Sequence, residues 1–243
     1  MLKNILKILA IFILGMVGGI FADQILWPYL VERPLFYKYR LEQSPVYVTE
    51  RKEVTIQENV ALKNAIEKVE KVVAGVRTKT GTGKFLEGSG LIVTSDGLIV
   101  TLADLVPKGS DFSFFVDGKA AAFQILKRGL ENNLALVKIE ATDLPTAGFA
   151  DLGKVKLGER VFLVGVAPPS TEGGATLPGF VVNEGIIKSF DENSLQTNIS
   201  EKISLQGSPL FNIEGEVLGL NTIDSEGKVI TIPISKIKSF AGF

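Results

Sequence analysis

The side chains able to do covalent chemistry gather in one stretch. Between Gln196 and Thr222 the chain reads QTNISEKISLQGSPLFNIEGEVLGLNT, where Ser204 and Ser208 flank Gln206 and Lys202 lies close by. A serine hydroxyl attacks only with a base beside it, and a lysine can be that base when burial keeps it neutral. The chain has no histidine, so the usual general base near neutral pH is missing. A Ser-Lys dyad is the serine chemistry left, yet the loop around Lys202 gives no reason to bury and neutralise it. Ser208, two residues beyond Gln206, reads by default as a small residue in a turn. There is no cysteine either, which removes disulfides, thiol nucleophiles and thiolate metal sites. Asp191-Glu192-Asn193 is more simply a turn than a carboxylate metal cluster. Gly81-Thr82-Gly83-Lys84 lacks the phosphate-loop spacing and reads as a hairpin turn. No metal and no cofactor is expected.

The elements that would position this chemistry are short strands. The chain has 243 residues, 46% hydrophobic and 22% charged, with 25 glycines spread along it, enough for one all-β domain and an appendage. A net charge of −1 leaves no electrostatic footprint for nucleic acid. From Val72 apolar runs alternate with turn signals. Ser95-Asp96-Gly97 sits between two of them, and Asp117-Gly118 follows the run Phe112 to Val116. Further runs stand around Gln124-Ile125-Leu126, at Leu134 to Ile139, and at Leu210-Phe211. Val217 to Leu220 and Val229 to Ile234 complete the set.

The order of these runs resembles the trypsin-like serine proteases of the HtrA (DegP) type. Across 196–222 the family pattern QTDAAINxGNSGGALxNxxGExxGINT is fitted by Gln196-Thr197, Gly207, Leu210, Asn212, Gly215-Glu216, Gly219 and Asn221-Thr222. GSGLIVTSDGLIVT is similar to the family's first-barrel hairpin, and Asn133 to Ile139 to its DLAxLKI. LGKVKLGERVFLVGVAPP and GFVVNEGIIKSF are similar to segments of its second barrel. The resemblance covers roughly residues 72–239 and implies two antiparallel six-stranded β-barrels, at about 72–150 and 151–234. It also implies where a triad would stand: Asp104 occupies the histidine position, Asn133 the aspartate position and Gln206 the serine position. Ser204 and Leu205 stand in the oxyanion loop, where the family has Gly-Asn. An amide is no nucleophile, and a carboxylate of normal pKa is a weak base at neutral pH.

Residues 1–22 carry Lys3 and Lys7 and then no charge until Asp23. The apolar length is near the lower limit for a membrane span, and a signal peptide would share it. Bulky Ile20 spoils the cleavage site that would end at Ala22. The lysine bias keeps the N-terminus inside, which puts the domain on the extracytoplasmic face of the cytoplasmic membrane as a single-pass anchor. Gly15 and Gly19 read as ordinary membrane-helix glycines. Residues 23–71 form a connector, with Val46-Tyr47-Val48 and Val54-Thr55-Ile56 as short strands and a helix from Asn59.

The expectation is therefore a membrane-anchored pseudoprotease that binds proteins or extended peptides or helps assemble a complex. The peptide would add as a strand along Asn221, Thr222, Ile223 and Asp224, the family's substrate edge. A rigid spacer with a filled groove is the other non-enzymatic reading, and a homo-oligomer stays open. The rival class is an active endopeptidase of the same type using Ser204 or Ser208.

Overall fold

The structure, a computed structural model, describes residues 2–30, 58–167 and 179–243. The chain forms two compact units, Met1–Val54 and Thr55–Phe243. Val46-Tyr47-Val48, Val54-Thr55-Ile56 and the loop at Pro168 lie outside the described residues.

In the first unit, helix α1 (Leu2–Phe21) runs into a π-helical turn (Ala22–Leu26) and then α2 (Trp27–Leu30) without a break. The span Lys3–Leu26 has 24 residues and contains an 18-residue stretch of mean hydropathy 2.5, none of it buried. At 1.5 Å per residue it is about 36 Å long, enough to cross about 30 Å of hydrocarbon. Leu14 is 71% exposed, so this side-chain surface needs an apolar solvent or a partner to cover it.

The second unit opens with α3 (Glu58–Val69), whose Ala65 and Val69 are buried while Lys63 and Glu67 stay exposed. Strands β1 (Val73–Lys79), β2 (Phe85–Ile92), β3 (Leu98–Leu102), β4 (Asp111–Val116), β5 (Lys119–Ala121), β6 (Phe123–Gly129) and β7 (Leu134–Ile139) follow. They form one antiparallel sheet in the order β5-β4-β1-β2-β3-β7-β6. Seven strands stand where six were expected, and the reason is local. β5 and β6, the two sheet edges, are separated by Ala122 alone, so one extended run is broken into two pieces. Ala121 pairs with Phe114 while Phe123 pairs with Ile139. The sheet thus curls into a half-barrel whose ring is completed through the chain at Ala122, not by a hydrogen-bonded ladder.

The second half is a closed six-stranded barrel, β10-β13-β12-β11-β8-β9. Its strands are β8 (Arg160–Ala167), β9 (Gly179–Phe190), β10 (Leu195–Ser200), β11 (Pro209–Asn212), β12 (Val217–Ile223) and β13 (Lys228–Pro233). The apolar run of β8 has no alternation because both of its faces are covered. Val161 and Leu163 point into the barrel with Ile187, Leu195, Leu210 and Val229. Phe162, Val164 and Val166 face the other way, into a cluster shared with Leu91, Leu134, Phe211 and Val69. That shared cluster joins the two sheets. The half-barrel has its own core around Ile92, Ile99, Leu102, Phe114 and Val137.

Turn chemistry agrees with the sequence. Asp117 and Gly118 both have positive φ, 49° and 73°, as a type I′ hairpin requires. At the β2–β3 turn the Lys138 ammonium and the Thr94 hydroxyl bond the Asp96 carboxylate, which holds its pKa below the usual value. Backbone N–H groups of Asn193 and Ser194 do the same for Asp191. Both pKa values are depressed on folding, so these contacts favour the fold above the unfolded carboxylate pKa and are lost as pH falls through the folded one.

The sequence places Ile234 at the end of a strand, but in the structure it opens a C-terminal helix, α4 (Ile234–Ala241). Ile234, Ile237 and Phe240 lie on one face, buried in the shared cluster. Pro233 precedes the helix, and Gly242 ends it at φ 92°, a left-handed cap that glycine adopts without strain.

Candidate functional site

Five chain segments meet where the half-barrel abuts the closed barrel. They are the middle of β2 at Gly88-Ser89, the turn Ala103–Leu105 after β3, the turn at Asn133 before β7, the turn Ile203–Leu205 before β11, and the end of β12.

Asp104 and Asn133 form a closed pair. Asn133 has φ 50°, a left-handed conformation that asparagine tolerates better than most residues. In that pose its backbone carbonyl accepts the Ala103 N–H at 3.1 Å, and its side-chain Oδ1 accepts the Asp104 N–H at 3.0 Å. Its Nδ2 donates to Asp104 Oδ2 at 2.8 Å. The carboxylate of an exposed residue is thereby held to the turn beside it.

Gln206 is fixed by three hydrogen bonds. Its N–H donates to the Ile203 carbonyl at 3.1 Å and its own carbonyl accepts from Ser89 N–H at 2.8 Å. The side-chain Nε2 donates to the Ile223 carbonyl at 3.0 Å. Among the described residues no hydrogen bond links Gln206 to Asp104 or Asn133. The two turns nonetheless lie side by side over β2. A Cβ built on Gly88 would be 2.5 Å from both the Gln206 carbonyl and the Leu105 side chain.

The serines differ in access. Ser208 is fully buried, and its Oγ accepts from Asn221 Nδ2 at 3.2 Å. Asn221 in turn accepts from the Thr231 hydroxyl at 2.6 Å, so the three make a satisfied buried network. Ser204 sits half-buried in its turn, and Lys202 is exposed. Leu205 is 4% exposed and packs against β8, where a Cβ at Gly165 would come within 2.8 Å of its methyl.

The four residues of the expected peptide edge are mostly covered. Asn221 is fully buried and Ile223 4% exposed. Asn221 exchanges backbone hydrogen bonds with the turn beside it, Gly207 N–H to its carbonyl and its own N–H to Ser208. Thr222 bonds the Ile230 carbonyl at 2.9 Å through its hydroxyl. Asp224 is exposed, and its Oδ1 accepts from the N–H groups of Glu226 and Lys228.

Sequence reasoning passed over Ser89. It is fully buried in β2, yet its Oγ accepts the Val166 N–H of β8 at 2.9 Å and its N–H holds Gln206. One residue therefore ties the half-barrel to both the barrel and the site. The only signal was its place in Gly88-Ser89-Gly90, where flanking glycines let backbones approach closely. Among the described residues no three of His, Cys, Asp and Glu gather closely enough to hold a metal.

A curled antiparallel sheet joined to a closed barrel, with its loops converging at the junction, defines the trypsin-like fold. The chain belongs to the trypsin-like peptidase domain family, whose model matches residues 88–220. Its relatives are of the HtrA/DegP type. A probable periplasmic serine endoprotease, DegP-like, from Hahella chejuensis is 32% identical over 145 residues, 56% of this chain and 29% of that protein. The putative protease Do-like 14 of Arabidopsis thaliana is 29% identical over 175 residues, 65% of this chain and 39% of that protein. The chain thus spans well under half the length of these curated relatives. The crystal structure of the serine endoprotease from Yersinia pestis superposes with a TM-score of 0.64 at 23% identity, over 74% of this chain and 65% of that one. That likeness is one of fold.

Proposed function

We propose that this chain is a membrane-anchored HtrA-type pseudoprotease, a protein-binding or assembly module that does not hydrolyse peptide bonds. The observation that carries the reading is the state of Gln206. At the serine position stands an amide whose nitrogen is donated to Ile223 and whose backbone N–H is donated to Ile203. A serine protease needs that same backbone N–H free to stabilise the oxyanion. The nucleophile is replaced and the oxyanion donor is already engaged. Asp104 and Asn133, at the other two triad positions, satisfy each other.

Ser204 and Ser208 remain the nucleophiles of the rival reading, an active endopeptidase. Ser208 is fully buried and engaged by Asn221. Lys202 is exposed, without the burial through which a lysine becomes the base for a serine. Anchoring rests on the apolar span Lys3–Leu26, and the side of the membrane on Lys3 and Lys7 ahead of its apolar stretch. The anchor is proposed at residues 1–22, the connector at 23–71 and the trypsin-like domain at 72–239.

A reversion series tests the reading. Gln206→Ser alone is expected to leave hydrolysis of an unfolded, fluorescein-labelled protein at the buffer rate, since no base waits for its proton. Turnover should need at least Asp104→His with Gln206→Ser, and Asn133→Asp to orient the imidazole. Restoration of turnover by Gln206→Ser alone would show that a working base and oxyanion site are already present, and would overturn the reading that the whole catalytic constellation is lost.

A further inference from the structure

The covered state of the β12 edge has a specific cause. Along β12 the backbone hydrogen-bonding groups alternate between two sides. Asn221 faces the Gly207–Ser208 turn with both its N–H and its carbonyl. Thr222 pairs with Ile230 of β13, so Ile223 faces the β11 side again. On that side the ladder has already ended, its last pair being Pro209 with Leu220. Ile223 has no ladder partner on that side, and its carbonyl accepts instead from one side chain, the Gln206 amide at 3.0 Å.

We infer that Gln206 is a latch: its side-chain amide competes with an incoming extended polypeptide for the Ile223 carbonyl. This rests on the reading of the chain as a protein-binding module. The backbone of Gln206 is held at both ends, by Ile203 and by Ser89, so the movable part is the side chain alone. Rotating it outward breaks one neutral hydrogen bond, and a main-chain N–H of the arriving strand replaces it at the same acceptor. The Ile223 carbonyl is therefore freed by a side-chain movement, with the backbone bonds of Gln206 intact. The occupant is an extended segment that presents a backbone N–H at this position, so proline is excluded there. A serine or glycine in place of Gln206 is too short to reach, which makes the residue at the old nucleophile position the one that closes the groove.

The test uses the full-length protein in detergent micelles, with fluorescein-labelled, reduced and carboxymethylated α-lactalbumin as the unfolded probe. Anisotropy titrations compare wild type, Gln206→Ala and Gln206→Asn, with circular dichroism confirming that each is folded. The asparagine amide is one methylene too short for Ile223 and guards against loss of the alanine variant. Both variants are expected to bind about 2- to 10-fold more tightly than wild type, the worth of one neutral hydrogen bond released from competition. Equal or weaker binding by the folded variants, with wild type still binding, would refute the latch and leave the binding module standing. No binding by any of the three proteins would remove the groove reading itself, and the latch with it.

Discussion

Gly207→Ala is expected to destabilise the Thr55–Phe243 unit by about 3–5 kcal/mol, a range reached only by a few defined mechanisms. Two of them act here at once. Gly207 has φ 75°, a region that L side chains seldom occupy, and a Cβ there would lie 2.2 Å from the Ser89 carbonyl oxygen. Relief would require Ser89 to move. Its N–H, its Oγ and its carbonyl are bonded to Gln206, Val166 and Thr101 respectively. The clash therefore spreads into both sheets. Gly83→Ala is the control, because Gly83 also has positive φ, 84°, with nothing within 4 Å of the added Cβ. That variant should lose only about 1 kcal/mol, the dihedral cost by itself. Urea unfolding followed by circular dichroism measures both, and equal losses would remove the steric part of the argument.

Phe211→Ala should cost about 3–5 kcal/mol, as truncation of a large buried aromatic generally does. Phe211 is fully buried in the cluster that joins the two sheets. Its ring stacks on Phe162 with centroids 5.5 Å apart and an interplanar angle of 25°, a geometry with an attraction beyond area burial. The cavity would open where the half-barrel meets the barrel, so collapse around it would need both sheets to shift. Phe211→Leu keeps most of the volume and should lose clearly less. A loss near that of Phe211→Ala would point to the aromatic stacking and not the filled volume as the main contribution. The same denaturation series reads it.

The sequence made some features legible because their cause is local. Asp117-Gly118 and Ser95-Asp96-Gly97 declare hairpins by the backbone angles those residues favour. The segment LGKVKLGERVFLVGVAPP is placed in the second barrel by its resemblance to the family, and its strand β8 lies there. Features that depend on distant contacts were not legible. Nothing near Ala122 says that one extended run will serve as both edges of a sheet. Ile234 continues the alternation of Ile230 and Ile232 as a strand would, while Ile237 and Phe240 follow it at helical spacing over a run too short to settle the boundary, and packing in the shared cluster decides it. At the site the residue types could be named, but their partners could not. The positive φ of Asn133, which aims its amide at Asp104, follows from the turn at the end of β6. The bond from Gln206 to Ile223 joins residues 17 apart in sequence, which become neighbours only when the barrel closes.

The most direct test of the central claim is hydrolysis by the unaltered protein. The full-length chain in detergent is incubated with fluorescein-labelled, reduced and carboxymethylated α-lactalbumin, and in parallel with a fluorophosphonate that tags activated serines. Hydrolysis no faster than buffer, and no tag on Ser204 or Ser208, is the expected result. Cleavage or tagging that disappears in Ser204→Ala or Ser208→Ala would show a working serine nucleophile, and would contradict the assignment of this chain as a pseudoprotease.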